Sequence, residues 1–141
     1  MSASRKPARA RVGGGGLTAG RARAALLRYG RSFPGAEEDF PWGETVIKVR
    51  GKVFVFLGRP ESGLGLSVKL PASSLLALNL PFASPTGYGL AKSGWVSAQF
   101  APKEKPPVDL LQKWIEESYR AVAPRRLVAE LDGQQRRPAS R

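Results

Sequence analysis

Residues 45–57, TVIKVRGKVFVFL, decide the fold of this chain, because two runs of β-forming residues flank the dipeptide Arg50-Gly51. Two such runs joined by a two-residue turn are typical of a tight antiparallel hairpin. Side chains alternate between the faces of a strand, so the pairing assigns each residue to one face. The face with the aromatic rings, which we predict to be buried, carries Ile47, Val49, Phe54 and Phe56. The opposite face carries Val46, Lys48, Val53 and Val55.

Three more strands are predicted beyond the hairpin. Apolar residues alternate with polar or small ones at residues 64–70 and again at 95–100. Residues 88–91 are predicted to pair with the last of these strands through a tight turn at Ser93-Gly94. Residues 35–43, which are rich in turn formers and acids, are predicted to be a loop.

Helices are predicted at both ends of this β-rich region and once within it. Apolar residues recur at helical spacing at residues 18–28 and, most clearly, at 107–122. A short helix is predicted at residues 71–78. Arg125 and Arg126 follow the last helix and suit its negative dipole end. The predicted fold is therefore α+β with two layers, an antiparallel sheet of about five strands with helices on one face, in the order α-β3-α-β2-α.

The formal net charge of +12 lies mainly at the two ends of the chain. Residues 1–23 hold six cations and no acid, and residues 134–141 hold three more cations, so the remainder is close to neutral. Residues 1–16 form a basic, Gly-rich segment that we predict to be disordered, as we do residues 133–141. One domain is left at residues 17–132. Basic tails of this kind attract any polyanion.

The chain contains neither cysteine nor histidine. A thiol nucleophile, a Cys/His zinc site and an imidazole general base are therefore excluded. Three adjacent acids, Glu37, Glu38 and Asp39, offer oxygen ligands for a hard cation, but acids in a loop are more commonly solvated or paired with a base. We therefore expect a protein that is not an enzyme and that needs no cofactor and no metal.

The sequence also bears on the cellular compartment. Its apolar runs are much shorter than a membrane-spanning helix requires, so we expect no membrane contact. The N-terminus lacks the apolar core of a secretory signal, and the absence of cysteine suits a reducing compartment, so we expect a cytoplasmic protein. An acid-free start that contains Arg and Ser leaves an organellar targeting segment as an open alternative.

Several blocks of the sequence, taken in order, are similar to one known family. The blocks are FPGAEEDFPWG at residues 33–43, VIKVRGKVF at 46–54, SVKL at 67–70, KSGWV at 92–96 and Ser118-Tyr119. They resemble the MmcQ/YjbR family over residues 18–130, apart from the basic N-terminal extension and a shortened helix after Pro71. The resemblance implies a CyaY-like or secretion-chaperone-like fold, and this family is described as carrying a double-wing DNA-binding motif.

Basic residues cluster at the two predicted hairpin tips. Lys48, Arg50 and Lys52 lie at or beside the first tip, and Lys92 lies at the second. Two basic tips are what a double wing requires, because Lys and Arg there reach phosphates. Charged residues on exposed strands also discourage aggregation between sheets, so this structural explanation stays open. Four cations of the N-terminal tail complete the predicted nucleic-acid-binding set: Arg5, Lys6, Arg9 and Arg11.

Two functions therefore compete. The first is weak, sequence-indifferent binding of DNA or RNA through the basic tails and the two hairpin wings. The second is binding of a protein partner through the sheet face that carries Val46, Val53 and Val55, where a continuous apolar patch would mark the contact. Phosphate binding weakens steeply with salt and an apolar contact does not, so salt dependence distinguishes the two functions.

Overall fold

The computed structural model describes residues 16–136, which form an open sheet of six antiparallel strands together with four α-helices. The strands are β1 (Ala36–Asp39), β2 (Thr45–Val49), β3 (Lys52–Gly58), β4 (Leu64–Lys69), β5 (Ala83–Pro85) and β6 (Trp95–Phe100). The helices are α1 (Ala19–Arg31), α2 (Ser74–Ala77), α3 (Val108–Val122) and α4 (Arg125–Arg136). The strands lie in the spatial order β1-β2-β3-β4-β6-β5. The predicted α+β class with an antiparallel sheet is confirmed.

The hydrophobic core lies between one face of this sheet and the helices. Leu26 of α1, Ile115 of α3 and Leu127 of α4 are buried and belong to one hydrophobic cluster with residues of the strands. Val68 and Val96, which lie opposite each other on β4 and β6, belong to the same core. Because the core takes one face of every central strand, the opposite sheet face is left as a second surface, which we call the open face.

Two irregularities in β3 decide which of its side chains enter the core. The register of β2 and β3 shifts twice, and Ile47 lies opposite Val55. Each shift leaves one extra residue on β3, as in a β-bulge. The predicted faces of Val55 and Phe56 are therefore wrong: Val55 is buried in the core, whereas Phe56 lies on the open face, with its ring centroid 5.5 Å from that of Trp95. Phe54 is fully buried in the core, as predicted.

Strand β1 consists of residues that were predicted to be a loop, and it forms an edge of the sheet beside β2. Its carboxylates alternate between the two faces. Glu38 lies 2.7 Å from the Arg31 guanidinium at the end of α1, and Asp39 on the open face lies 2.7 Å from Lys48 Nζ. Acids are poor strand formers, but here a base from a neighbouring element pairs with two of them. The prediction of a loop is therefore wrong.

The strand beside β6 also lies earlier in the chain than predicted. Residues 88–91 form no strand, because Tyr88 and Gly89 have positive φ angles of 59° and 78°, which an extended strand does not allow. A 3-10 turn at Leu90–Ser93 follows, and β6 begins directly after Gly94. The predicted hairpin at Ser93-Gly94 is therefore wrong, and β5 pairs with β6 instead.

Helix α4 was absent from the predicted order. It begins three residues after α3 ends and continues to Arg136, four residues beyond the predicted end of the domain at residue 132. Of the two segments predicted to be disordered, residues 1–16 and 133–141, the parts at residues 1–15 and 137–141 lie outside the described residues, whereas residues 133–136 belong to α4. No helix in the described part of the chain combines the length and the apolarity that crossing a membrane requires.

Candidate nucleic-acid interface

The β2–β3 hairpin ends in a tight turn that exposes two of the predicted site residues. Arg50 and Gly51 both have positive φ angles, 52° and 80°, as the two central residues of a type I′ turn require. Gly51 adopts this conformation without steric cost, whereas Arg50 accepts a small strain. Arg50 and Lys52 are both exposed. The turn therefore holds two cations in solvent at one end of the sheet.

A groove of about 360 Å³ runs from this turn to the connection between α3 and α4. It is lined by Arg50, Lys52 and Arg126 together with Val122 and Pro124, and we call it the cationic groove. No described acid lines it, and none of its three cations forms an ion pair within residues 16–136. Three like charges around one concavity repel each other and attract anions.

The helical end of this groove is also positive. Arg125 and Arg126, which were predicted to suit the negative end of α3, form the first turn of α4. The amides of a helix N-terminus carry partial positive charge, so cations are unfavourable in a first turn and an anion is favourable there. The pair of arginines therefore costs α4 some stability, and an anion bound in the groove would remove that cost.

Lys48, a third predicted site residue, is already paired with an acid and is therefore less available to an anion than Arg50 and Lys52 are. Its Nζ lies 2.7 Å from Asp39 Oδ2, across the β1–β2 pairing on the open face. The hydrogen bond from Lys48 and the backbone N–H of Phe40 together hold the pKa of Asp39 below its ordinary value. The carboxylate therefore stays charged at neutral pH and offsets the charge of Lys48.

Replacing Lys48 with glutamine should raise the pKa of Asp39 toward its ordinary value, because the largest contribution to the lowered pKa is removed. The stabilisation that this pair gives is present at neutral pH and is lost as the pH falls through the pKa of the folded carboxyl. Carboxyl titration by NMR measures the shift, and Lys52→Gln is the control that should leave Asp39 unchanged. An Asp39 pKa that is identical in Lys48→Gln and in the unmodified protein would show that the pair does not form.

Lys92, the predicted second tip, is exposed in the 3-10 turn that precedes β6 and not in a hairpin. It nevertheless lies at the same end of the sheet as Arg50. β3 and β6 both start at that end, and β4 ends there with Lys69 opposite Trp95. Sequence reasoning missed Lys69, whose position on the open face becomes clear only from the strand pairing.

The remaining predicted site residues lie outside the described part of the chain. They are Arg5, Lys6, Arg9 and Arg11. Their contribution to binding therefore stays a prediction.

Of the three valines on which a protein contact through the open face was predicted, only Val53 is partly exposed there. Val55 belongs to the core, and Val46, which does lie on the open face, is only 1% exposed. Polar side chains also lie on that face, and the hydroxyl groups of Ser67 and Ser97 are hydrogen-bonded to each other near its centre. Within residues 16–136 no group of three or more acidic side chains is placed to hold a metal ion.

An open antiparallel sheet with helices on one face, whose cations at one end form no ion pair with any described residue, defines a small α+β protein with a basic surface. A family model described as YjbR matches residues 31–121, which is more than half of the chain, so the chain belongs to the YjbR family. The predicted resemblance is thus confirmed.

The fold also has a solved counterpart. The crystal structure of the Deinococcus radiodurans protein DR2400, described as a DUF419 domain, aligns with a TM-score of 0.61 and 23% sequence identity. The alignment covers 77% of this chain and 86% of that chain, and it supports the fold. No curated relative matched the sequence.

Proposed function

We propose that this protein is a non-enzymatic nucleic-acid-binding protein that contacts the phosphate backbone with little sequence preference. The observation that carries the proposal is the cationic groove, where Arg50, Lys52 and Arg126 surround one concavity that no described acid lines. Arginine and lysine are the residues that most often contact backbone phosphates, and such contacts carry no sequence information directly.

The surroundings of the groove support a polynucleotide as the ligand. Lys69 and Lys92 lie at the same end of the sheet, so cations continue from the helix-covered side of the molecule to the open face. A surface of this length suits a chain of phosphates better than a single anion. The hairpin tip acts as one wing, and the turn that carries Lys92 takes the place of the other.

Titration of the full-length protein against duplex DNA, single-stranded DNA and RNA at several salt concentrations tests the proposal. Each phosphate contact adds about 0.9 to the magnitude of the slope of log K against log salt on duplex DNA, and about 0.7 on single strands. Three contacts in the cationic groove therefore predict a slope magnitude of at least about 2–3. If the protein binds none of the three nucleic acids at about 50 mM salt, the proposed function is refuted.

A further inference from the structure

The open face carries a second groove, of about 310 Å³, between the middle of the sheet and the segment that leads into the 3-10 turn. Phe56, Ser67 and Ser97 form its floor, and Thr86, Tyr88 and Leu90 belong to the segment along its side. This volume lies at the lower end of the range for ligand-binding clefts. The groove is distinct from the cationic groove and shares no lining residue with it.

Tyr88 is the unusual residue of this groove. Its side chain is fully exposed although it lines the cleft, and its backbone has a φ of 59°. A left-handed backbone conformation is energetically unfavourable for a bulky residue. Burial of the Tyr88 ring does not compensate for this strain, because the ring is exposed. The fold therefore holds a flat aromatic ring in solvent beside a cleft, where a second ring can stack on it.

The floor of the groove offers hydrogen bonds. Ser67 Oγ and Ser97 Oγ lie 2.7 Å apart, and Thr86 Oγ1 lies 2.9 Å from Ser97 Oγ. Two bonds among three hydroxyl groups use two of their three hydrogens, so one O–H donor and several lone pairs remain for a ligand. The exposed amide of Gln99 adds a donor and an acceptor on the same floor.

The charge of the lining limits what can enter. Among the described residues its one charged side chain is Glu44, an acid, so a phosphate group is disfavoured inside the groove. A ligand with flat faces and an uncharged hydrogen-bonding edge fits this chemistry. Lys92 follows Leu90 by two residues in the same 3-10 turn and is exposed.

We infer that this groove binds one unpaired nucleobase of a single-stranded nucleic acid, with its ring stacked on Tyr88 and its edge bonded to the hydroxyl and amide groups. The inference rests on the proposed function and deepens it, because a paired base in a duplex cannot present its edge in this way. Stacking on an aromatic side chain is insensitive to which base is bound, in agreement with binding that has little sequence preference.

The test compares the full-length protein with Tyr88→Ala and Tyr88→Phe on a short oligothymidylate and on an abasic strand of equal length and charge. We expect the unmodified protein and Tyr88→Phe to bind the oligothymidylate about 5- to 150-fold more tightly than the abasic strand, and Tyr88→Ala to lose this preference. Because Tyr88 is fully exposed, its removal costs no core packing. Equal affinity of the unmodified protein for both strands, or an equal loss on both strands in Tyr88→Ala, would overturn the inference.

A second measurement uses thymidine, which has no phosphate and so tests the groove alone. We expect thymidine at millimolar concentration to shift the backbone amide NMR signals of Ser97 and Gln99 in the unmodified protein but not in Tyr88→Ala. If thymidine shifts these signals while the protein binds neither strand, nor duplex DNA, nor RNA, the base groove is supported and the proposed backbone binding is refuted. If thymidine causes no shift, the inference fails, whether or not the strands bind.

Discussion

Ser118→Ala is expected to lower the free energy of unfolding by about 2–4 kcal/mol, although it removes one oxygen atom only. Ser118 is fully buried on α3. Its Oγ donates a hydrogen bond to the carbonyl of Phe54 at 2.6 Å and accepts one from the amide N–H of Lys69 at 2.8 Å. β3 and β4 pair at Val55–Val68, so Phe54 and Lys69 are the next residues along the ladder. The Ser118 hydroxyl group therefore bridges these two backbone groups just beyond the last paired residues of β3 and β4.

Alanine at this position leaves a buried carbonyl and an amide without a partner, and each such group costs about 1–3 kcal/mol. Urea unfolding followed by tryptophan fluorescence measures the loss. Ser93→Ala is the matched control, because Ser93 is exposed and should change stability by less than about 0.5 kcal/mol. Equal stability of the two variants would show that Ser118 does not bridge the strands.

The role of Ser118 also shows how far sequence reasoning reaches in this protein. The resemblance singled out Ser118-Tyr119, but it did not give the partners of these side chains. The hydroxyl of Tyr119 donates to the carbonyl of Pro34 at 2.6 Å, a contact between residues 85 positions apart. Contacts of this range depend on the assembled fold and leave no local pattern in the sequence.

The errors in strand assignment have a similar origin. Alternation predicts faces correctly only while the register is regular, and the bulges of β3 put both Phe54 and Val55 into the core. The acidic segment of β1 has the composition of a loop, and it forms a strand because Arg31 and Lys48 lie within reach of its carboxylates. In both cases a tertiary contact outweighs the local preference.

The candidate site was predicted in part. The turn residues Arg50-Gly51 identified an exposed basic tip, because a two-residue hairpin turn has a recognisable sequence. Arg126 was visible in the sequence as one of two adjacent arginines after a helix, but its place beside Arg50 depends on how α4 packs. The adjacent arginines Arg125 and Arg126 could have been singled out because two cations in the first turn of a helix lower its stability.

Neutralising the cationic groove is the second change with a large expected effect. The triple variant Arg50→Gln, Lys52→Gln, Arg126→Gln should weaken binding to duplex DNA by up to about 10³-fold near 50 mM salt, since three phosphate contacts are lost. All three residues are exposed, so the fold should persist. Fluorescence anisotropy with a labelled duplex measures the affinity.

The matched control removes the same charge elsewhere in the domain. Arg21, Lys103 and Lys105 are exposed and form no ion pair within residues 16–136. Their triple replacement by glutamine should weaken binding much less than the groove variant does, because general attraction to a polyanion is reduced equally in both. Equal losses in the two variants would mean that net charge, and not the cationic groove, determines binding.

The slope of log K against log salt for duplex DNA shows most directly whether the cationic groove contacts phosphates, because each phosphate contact that a variant loses lowers its magnitude. It should be measured for the unmodified protein, the groove variant and a variant in which Arg5, Lys6, Arg9 and Arg11 are replaced by glutamine. We expect the groove variant to lower the magnitude of the slope by about 2–3. The opposite result would be an unchanged slope in the groove variant together with loss of binding in the tail variant. That result would contradict binding through the cationic groove and assign nucleic-acid binding to the N-terminal tail alone.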